Sequence, residues 1–241
     1  MSPSSYFQTP RSTVSGFLLI NKPKGITSFD VIRQLRIRTG LSKIGHGGIL
    51  DKNATGLLMV GIGKATKKLA SFLEGPKKYT CMMVLGAGSD THDWLGHQWM
   101  FQSVSPTITP SCIQKLFLDR FQGQILQQPP LYSALKKKGK KYYQYALCGE
   151  TIEIPKREVE ISKIRLISYI KKTYQAQIVF SVECSKGTYI RSLARDIGEA
   201  LGTVGVVKEL CRTHIGNYCL SQAIPLSYIS SVEDIQQAVI S

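Results

Sequence analysis

The chain is short of acid. Its 241 residues carry 31 Lys and Arg against 16 Asp and Glu, a formal charge of +15. A catalyst for neutral ligands has little use for such an excess, so the expected partner is a polyanion. Cysteines are few and widely spaced, at 81, 112, 148, 184, 211 and 219, and no pair makes a C-x-x-C. That excludes zinc ribbons and dithiol redox motifs, and the six read as reduced core thiols. Long apolar runs are missing as well. The run "GFLLI" is too short for a signal-peptide core or a membrane span, so a soluble, cytoplasmic protein with no membrane partner is expected.

Phosphate-loop signatures fail too. "GIGKAT" would need Gly where Leu58 stands and Ser or Thr where Ala65 stands, and "GAGSDT" lacks the third glycine of a dinucleotide fingerprint. No G-x-S-x-G elbow occurs. "DTHDWLGH" groups two aspartates with two histidines, but polar residues that follow a strand usually build a turn, so no metal is expected. No cofactor is indicated.

What is present suits an ordinary globular protein, 43% hydrophobic and 20% charged, long enough to bury a real core. After a Ser/Thr/Pro-rich tail, "GFLLINKPKGITSFDVIRQLRIRTG" predicts a strand, a Pro/Gly turn and a helix capped by Ser28, with Val31, Leu35 and Arg38 at helical spacing. "GLLMVGIGKATKKLASFLEG" predicts a strand and then a helix bearing Leu69, Phe72 and Leu73, closed by Gly75. "QIVFSVECS" alternates as a strand with Ile178, Phe180, Val182 and Cys184 on one face. "GTYIRSLARDIGEALG" predicts a helix with an apolar stripe of Ile190, Leu193, Ala194, Ile197 and Leu201, stopped by Gly202. A short capped helix is expected in "SVEDIQQAVIS". Strands and helices do not alternate regularly, which predicts an α+β architecture on a mixed, mainly antiparallel sheet.

Two stretches carry chemistry. From Arg120 to Gly149 there is no acid at all, and here "QQPPLYSALKKKGKKYYQYA" interleaves five lysines with four tyrosines. Lysines neutralise phosphates and tyrosine rings stack on unpaired bases, so Lys136, Lys137, Lys138, Lys140 and Lys141 are candidate RNA contacts; charge alone would suit DNA equally. The segment is expected to be an exposed excursion, poorly ordered without RNA. The second stretch is "GHGGILDKNATG", residues 45–56. Its Asp51 is the one acid between Val31 and Leu73, a span with eight Lys or Arg. An aspartate beside Gly and Asn usually closes its own turn, so on composition alone Asp51 is a turn residue.

A family resemblance changes that reading. "GHGGILDKNATGLLMVGIGKATK" resembles the signature of TruB-type tRNA pseudouridine synthases, G-H-x-G-x-L-D-P-x-A-x-G followed by A-T-K. "GFLLINKPKGITS", "KKYTCMMVLGAGSDTHDWLG", "QQPPLYSALKKKGKKYYQYA", "CSKGTYIRSLARDIGEALG" and "VKELCRTHIGNY" match further blocks in the same order, covering most of residues 16–224. The resemblance implies a pseudouridine synthase fold with a central cleft and flanking helices. It also implies a cofactor-free isomerase that converts uridine-55 of the tRNA T-loop to pseudouridine. Asp51 would be the catalytic aspartate, as nucleophile or as base. Tyr79 would stack on the target base, Tyr189 and Arg191 would line the pocket, with Arg191 pairing Asp51, and Leu210 would be an apolar wall. His46 would help displace the base from its stack.

The departures from the family pattern have consequences. Lys52 and Asn53 stand where Pro-Leu is usual and Gly47 replaces a common Thr, which predicts a looser catalytic loop. Seventeen residues follow Ile224, too few for the PUA-type RNA-binding domain of bacterial members. The expected organisation is therefore a tail at 1–15, a catalytic domain at 16–224 with a basic RNA-contacting insertion near 124–150, and a short C-terminal remnant at 225–241. The partner would be the tRNA T-arm, bound by a monomer. Rival readings are a non-catalytic RNA-binding or tRNA-folding module on the same scaffold, and a synthase acting on rRNA.

Overall fold

A computed structural model of the chain describes residues 14–97 and 99–240, with the side chains of Phe72 and Leu73 outside the described set. The tail expected at 1–15 lies outside the described residues except for its last two, and of the stripe Leu69, Phe72 and Leu73 only Leu69 is described, buried. In chain order the first strands are β1 (Gly16–Lys22), β2 (Ile44–Gly47), β3 (Thr55–Ile62), β4 (Lys77–Leu85), β5 (Ala87–Ser89), β6 (Trp99–Phe101) and β7 (Gly123–Gln127). They are followed by β8 (Lys136–Lys137), β9 (Lys140–Lys141), β10 (Arg157–Lys171), β11 (Ala176–Cys184), β12 (Gly205–Ile215), β13 (Tyr218–Cys219) and β14 (Ile224–Pro225). The α-helices are α1 (Ser28–Thr39), α2 (Leu69–Glu74), α3 (Pro110–Leu116), α4 (Tyr142–Leu147), α5 (Ile190–Ala200) and α6 (Val232–Ala238).

The main sheet runs β14-β1-β3-β12-β4-β11-β10-β7, with β2 added on β3 and β13 on β12. Its neighbours are antiparallel except β1 with β14 and β3 with β12. The architecture is thus α+β on a mixed, mainly antiparallel sheet, as the sequence pattern predicts. The parallel junction is short: only Cys211 opposite Thr55 and Arg212 opposite Gly56 are in register. The loop that carries Asp51 leads directly into this junction, and Asn53 and Thr55 tie it to the Lys208 and Leu210 carbonyls of β12.

Alternation along β11 buries Ile178, Phe180, Val182 and Cys184, and β4 presents Cys81, Met83 and Leu85 to the same core. Helix α5 lays Ile190, Leu193, Ala194 and Ile197 on this face, and Phe117 meets Phe180 edge to face at 5.6 Å. The predicted cap of α1 is off by one residue. Thr27 is the N-cap, in a reciprocal box with Asp30, and Ser28 is the first helical residue. Its hydroxyl is committed elsewhere, accepting from the Leu50 amide at 2.9 Å.

The Lys/Tyr segment is folded rather than irregular. Lys138 and Gly139 both take positive φ, the geometry of a tight hairpin turn, so β8 pairs with β9 and α4 follows directly. Tyr142 is buried and the Tyr145 hydroxyl donates to the Lys137 carbonyl at 2.8 Å, which gives the hairpin an apolar and a polar anchor. Residues 224–240 close the far edge: Ile224 pairs with Ile20, Phe17 bridges Ile240, and Ile235 of α6 is buried in the main core.

The approach of α5 to β12 is closer than any side chain allows. A Cβ built on Gly198 would stand 2.4 Å from the Gly205 nitrogen, and one on Gly205 would stand 2.4 Å from the Ala194 oxygen. Both obstacles are backbone and cannot swing aside. Gly198→Ala is therefore expected to lower stability by roughly 1–3 kcal/mol despite the better helix propensity of alanine, read as a lower urea midpoint at unchanged m-value. An unchanged or higher midpoint would show that helix and strand separate freely.

Candidate active site

Asp51 is held by a loop with few degrees of freedom left. Its carbonyl accepts from the Ala54 amide at 3.0 Å, closing the turn expected for Asp beside Asn. Leu50 is tied on both backbone groups to the Ser28 hydroxyl, and the Gly25 amide donates to the Lys52 carbonyl at 2.8 Å. Asn53 is buried, and its amide donates to the Lys208 carbonyl at 3.1 Å. Arg212, 2% exposed, donates to the carbonyls of Leu57, Ile49 and Gly48. The looser loop predicted from Lys52 and Asn53 is thus not what the structure has. The polar Asn53 substitutes a hydrogen bond to β12 for the rigidity that a proline would give.

The Asp51 carboxylate meets Arg191 side-on. Nε donates to Oδ2 at 2.8 Å and Nη2 to Oδ1 at 3.3 Å, a forked pair. Arg191 sits in the first turn of α5, where its remaining donors reach the Thr91 carbonyl through Nη1 and the Tyr132 carbonyl through Nη2, each at 2.9 Å. Its side chain is 7% exposed while that of Asp51 is 39% exposed. The cation is locked into the protein, and the anion faces the opening. A guanidinium buried this far demands a full set of acceptors, because an unpaired buried charge costs several kcal/mol. Those acceptors come from three remote segments, so they fix where Arg191 lies and through it the carboxylate.

Above the pair is a cavity of about 370 Å³ lined by Ile49, Leu50, Asp51, Tyr79, Tyr132, Ser133, Ala134, Tyr143, Thr188, Tyr189, Ile190, Arg191 and Leu210. The structure therefore gathers Asp51, Tyr79, Tyr189, Arg191 and Leu210 in one place. Tyr79 reaches it from β4 and Leu210 from β12, adjacent strands of the sheet. Burial pushes the Tyr79 phenol above its ordinary pKa, against a smaller opposite pull from Arg212, so the ring stays neutral at physiological pH. His46 lies on β2, outside the cavity wall. Burial, with Arg212 second, lowers its pKa, and its buried Nδ1 has no hydrogen-bond partner.

The five candidate lysines sit on the β8–β9 hairpin, in sequence between Ala134 and Tyr143, which line the cavity. The Lys140 ammonium pairs with Glu150 at 2.6 Å and lies 4.5 Å from the Tyr145 ring centre. Lys141 lies 5.6 Å from the ring of Tyr143, which lines the cavity. Lys137 donates to the Glu153 carbonyl at 2.9 Å, and Lys136 is exposed.

Three further residues matter here that the sequence did not mark as part of the site. Asp93 is 8% exposed, its carboxyl raised by burial first and further by the charge of Asp51. Tyr132 supplies an acceptor through its backbone, which no side-chain motif announces. Lys22 is fully buried and donates to the carbonyls of Pro23 at 2.9 Å and Ile26 at 2.7 Å. Burial pulls its pKa from 10.5 down to about 8, with the charge of Asp51 acting against the shift. Among the described residues no three or more His, Cys, Asp or Glu side chains are grouped to hold a metal.

The Lys22 shift has a signed consequence. Between pH 8 and 10.5 the folded chain binds fewer protons at this amine than the unfolded chain, so its contribution to stability rises with pH across that window. The difference in unfolding free energy between the native chain and Lys22→Met, from urea titrations at pH 7, 9 and 10.5, should move steadily in favour of the native chain. A difference independent of pH would mean that the buried amine titrates like a free one.

The chain is similar to known proteins along most of its length. Residues 36–190 match the model of the TruB family pseudouridylate synthase N-terminal domain, and residues 191–240 that of the tRNA pseudouridylate synthase B C-terminal domain. The chain is 41% identical to a tRNA pseudouridine synthase B of Prochlorococcus marinus over 234 residues, 95% of this chain and 72% of that protein. It is 40% identical to the protein of that name from Bordetella parapertussis over 228 residues, 95% of this chain and 92% of that one. Among solved structures, it resembles a chain of a Cbf5-Nop10-Gar1 complex with a TM-score of 0.66 and 25% identity, covering 93% of this chain. It also resembles a chain of an H/ACA RNP bound to a substrate RNA containing 2'-deoxyuridine, with a TM-score of 0.62 and 25% identity, covering 89% of this chain. The chain spans 59% and 52% of those two solved chains. The segment with Asp51 and the strand with Tyr79 fall inside the first matched model, and α5 from Arg191 onward inside the second, so the chain belongs to the TruB family of pseudouridylate synthases.

Proposed function

We propose that this protein isomerises uridine-55 in the T-loop of tRNA to pseudouridine, with Asp51 as the catalytic carboxylate. The observation that carries the reading is the forked Asp51–Arg191 pair at the floor of an aromatic-walled cavity, with the carboxylate turned toward the opening. A volume of about 370 Å³ lies in the range of roughly 300–1,000 Å³ typical of small-ligand pockets, enough to take one everted nucleotide.

The chemistry exchanges one glycosidic bond for another. The bond from ribose C1′ to uracil N1 breaks, the ring turns, and a bond from C1′ to C5 forms; the proton on C5 leaves and N1 gains one. A carboxylate serves this as a nucleophile at C1′ or as a base toward a sugar or ring proton. Both roles need it ionised, and a forked guanidinium contact is made to the ionised form. Tyr79, neutral, offers its ring to the uracil face and its hydroxyl as a proton carrier; Leu210 and Tyr189 keep water from the reacting carbons. Lys136, Lys137, Lys138, Lys140 and Lys141, on the hairpin that leads to the cavity-lining Tyr143, would meet tRNA phosphates, while His46, which does not line the cavity, would help displace the base from its stack.

In this reading residues 16–224 are the catalytic unit, working as a monomer in the cytoplasm. All six cysteines are free, as thiols are in a reducing compartment, but only Cys81 and Cys184 are the buried core thiols expected of all six, while Cys112 and Cys148 are exposed; burial pushes Cys184 up to about 11.

Native chain and Asp51→Asn would be incubated with a T-arm hairpin and an rRNA hairpin, and pseudouridine quantified. The native chain should modify the T-arm, and the variant should lose at least roughly 10²–10⁴-fold in rate. Equal product from both chains would remove Asp51 from the mechanism, and preference for the rRNA hairpin would reassign the substrate.

A further inference from the structure

A second concavity, of about 520 Å³, opens next to the nucleotide cavity and shares Ile49, Tyr79, Thr188 and Tyr189 with it. Its wall carries four cationic side chains, Lys77, Arg157, Lys186 and Arg212, against one carboxylate, Glu158. None of the four belongs to the lysine hairpin.

Their electrostatic situations differ in a useful way. Arg212 donates to the carbonyls of Leu57, Ile49 and Gly48, which neutralise none of its charge, so that charge acts on the groove it lines. Lys77 is 8% exposed and donates to the Gly75 carbonyl at 2.7 Å; burial and then the charge of Arg212 lower its pKa. Lys186 is 60% exposed and pairs with Glu74 in open solvent, a contact weak enough to be traded for a stronger anion. Arg157 lies with its guanidinium 4.8 Å from the Tyr189 ring centre, donates to the Gly187 carbonyl through Nη2, and has no acceptor at its buried Nε. One ring, Tyr189, is thus wall to both concavities and platform for the cation.

We propose that this groove binds an RNA backbone phosphate flanking the everted nucleotide, with Arg157 and Lys186 as direct contacts and Lys77 and Arg212 supplying the field below. The proposal rests on the reading of the first cavity as the nucleotide site. A nucleotide drawn into that cavity carries a phosphate on each side, so an anion necessarily follows it to the shared wall. The planar guanidinium of Arg157 can present two donors to such a phosphate while its face stays on Tyr189, so anchoring the backbone also fixes a wall of the reaction cavity.

The experiment measures binding rather than turnover. Affinity for a T-arm hairpin is followed against salt for Asp51→Asn alone and combined with Arg157→Gln, Lys186→Gln, both, or Arg157→Lys. The double replacement should cut affinity at low salt and reduce the slope of log K against log salt by ~0.7–0.9, the signature of one lost phosphate contact, while Arg157→Lys keeps the slope. A second series places a single uncharged methylphosphonate on the 5′ or the 3′ side of the target uridine. At one of the two positions it should weaken the intact groove and add nothing to the double replacement. An unchanged slope, or losses that add at both positions, would overturn the proposal. Lys186→Gln lies on an exposed side chain and carries the test if the arginine variants fail to fold. Pseudouridine formation by the native chain is scored separately, so phosphate coupling without product would sink the proposed reaction and leave the groove standing.

Discussion

A single buried guanidinium organises the functional half of this molecule. Arg191 brings a permanent positive charge into a site where it is 7% exposed, and that charge is tolerable only because the Asp51 carboxylate and two backbone carbonyls surround it. The dependence runs both ways. Asp51 sits in the loop that leads into the short parallel junction of β3 with β12, and without the cation it would be a loop aspartate with no reason to face the cavity. The sheet supplies the walls Tyr79 and Leu210, α5 supplies the cation, and the loop between β2 and β3 supplies the anion.

How the loop is held explains why its sequence can depart from the family signature. Ser28 of α1, Gly25 of the turn before it, and Arg212 and the Lys208 carbonyl of β12 anchor it. With so many external ties, the loop needs little stiffness of its own, and a Lys-Asn pair can replace Pro-Leu. The replacement even adds a bond, from Asn53 to the backbone of β12, the strand that also carries Leu210.

Much of this was legible from residues alone, for reasons that differ by element. Helix α5 and strand β11 follow from periodicity, since their apolar positions map directly onto buried faces. Asp51, Tyr79, Tyr189, Arg191 and Leu210 were legible through the resemblance, not through spacing: Arg191 stands 140 positions from Asp51, and no local rule brings them together. Asp93 and Lys22 were missed because their significance is burial near Asp51, a tertiary property. Arg157 and Arg212 were missed because charge counting drew attention to the lysine run, where cations are dense, rather than to isolated arginines that the fold later assembles. The hairpin at Lys138 and Gly139 did carry a turn signal, but five lysines in six positions read as a solvated excursion. Two tyrosines, 142 and 145, tie that excursion down.

The pairing of β1 with β14 bears on how the chain reaches this state. β1 is the first strand of the described chain, and its outer edge is covered by Ile224 and Ile240, made about two hundred residues later. Until synthesis reaches them, that edge presents bare amides and carbonyls beside a run of apolar side chains, the kind of surface on which nascent chains stick to one another. Residues 224–240 thus act as a late seal on an edge that β1 leaves bare until they are made.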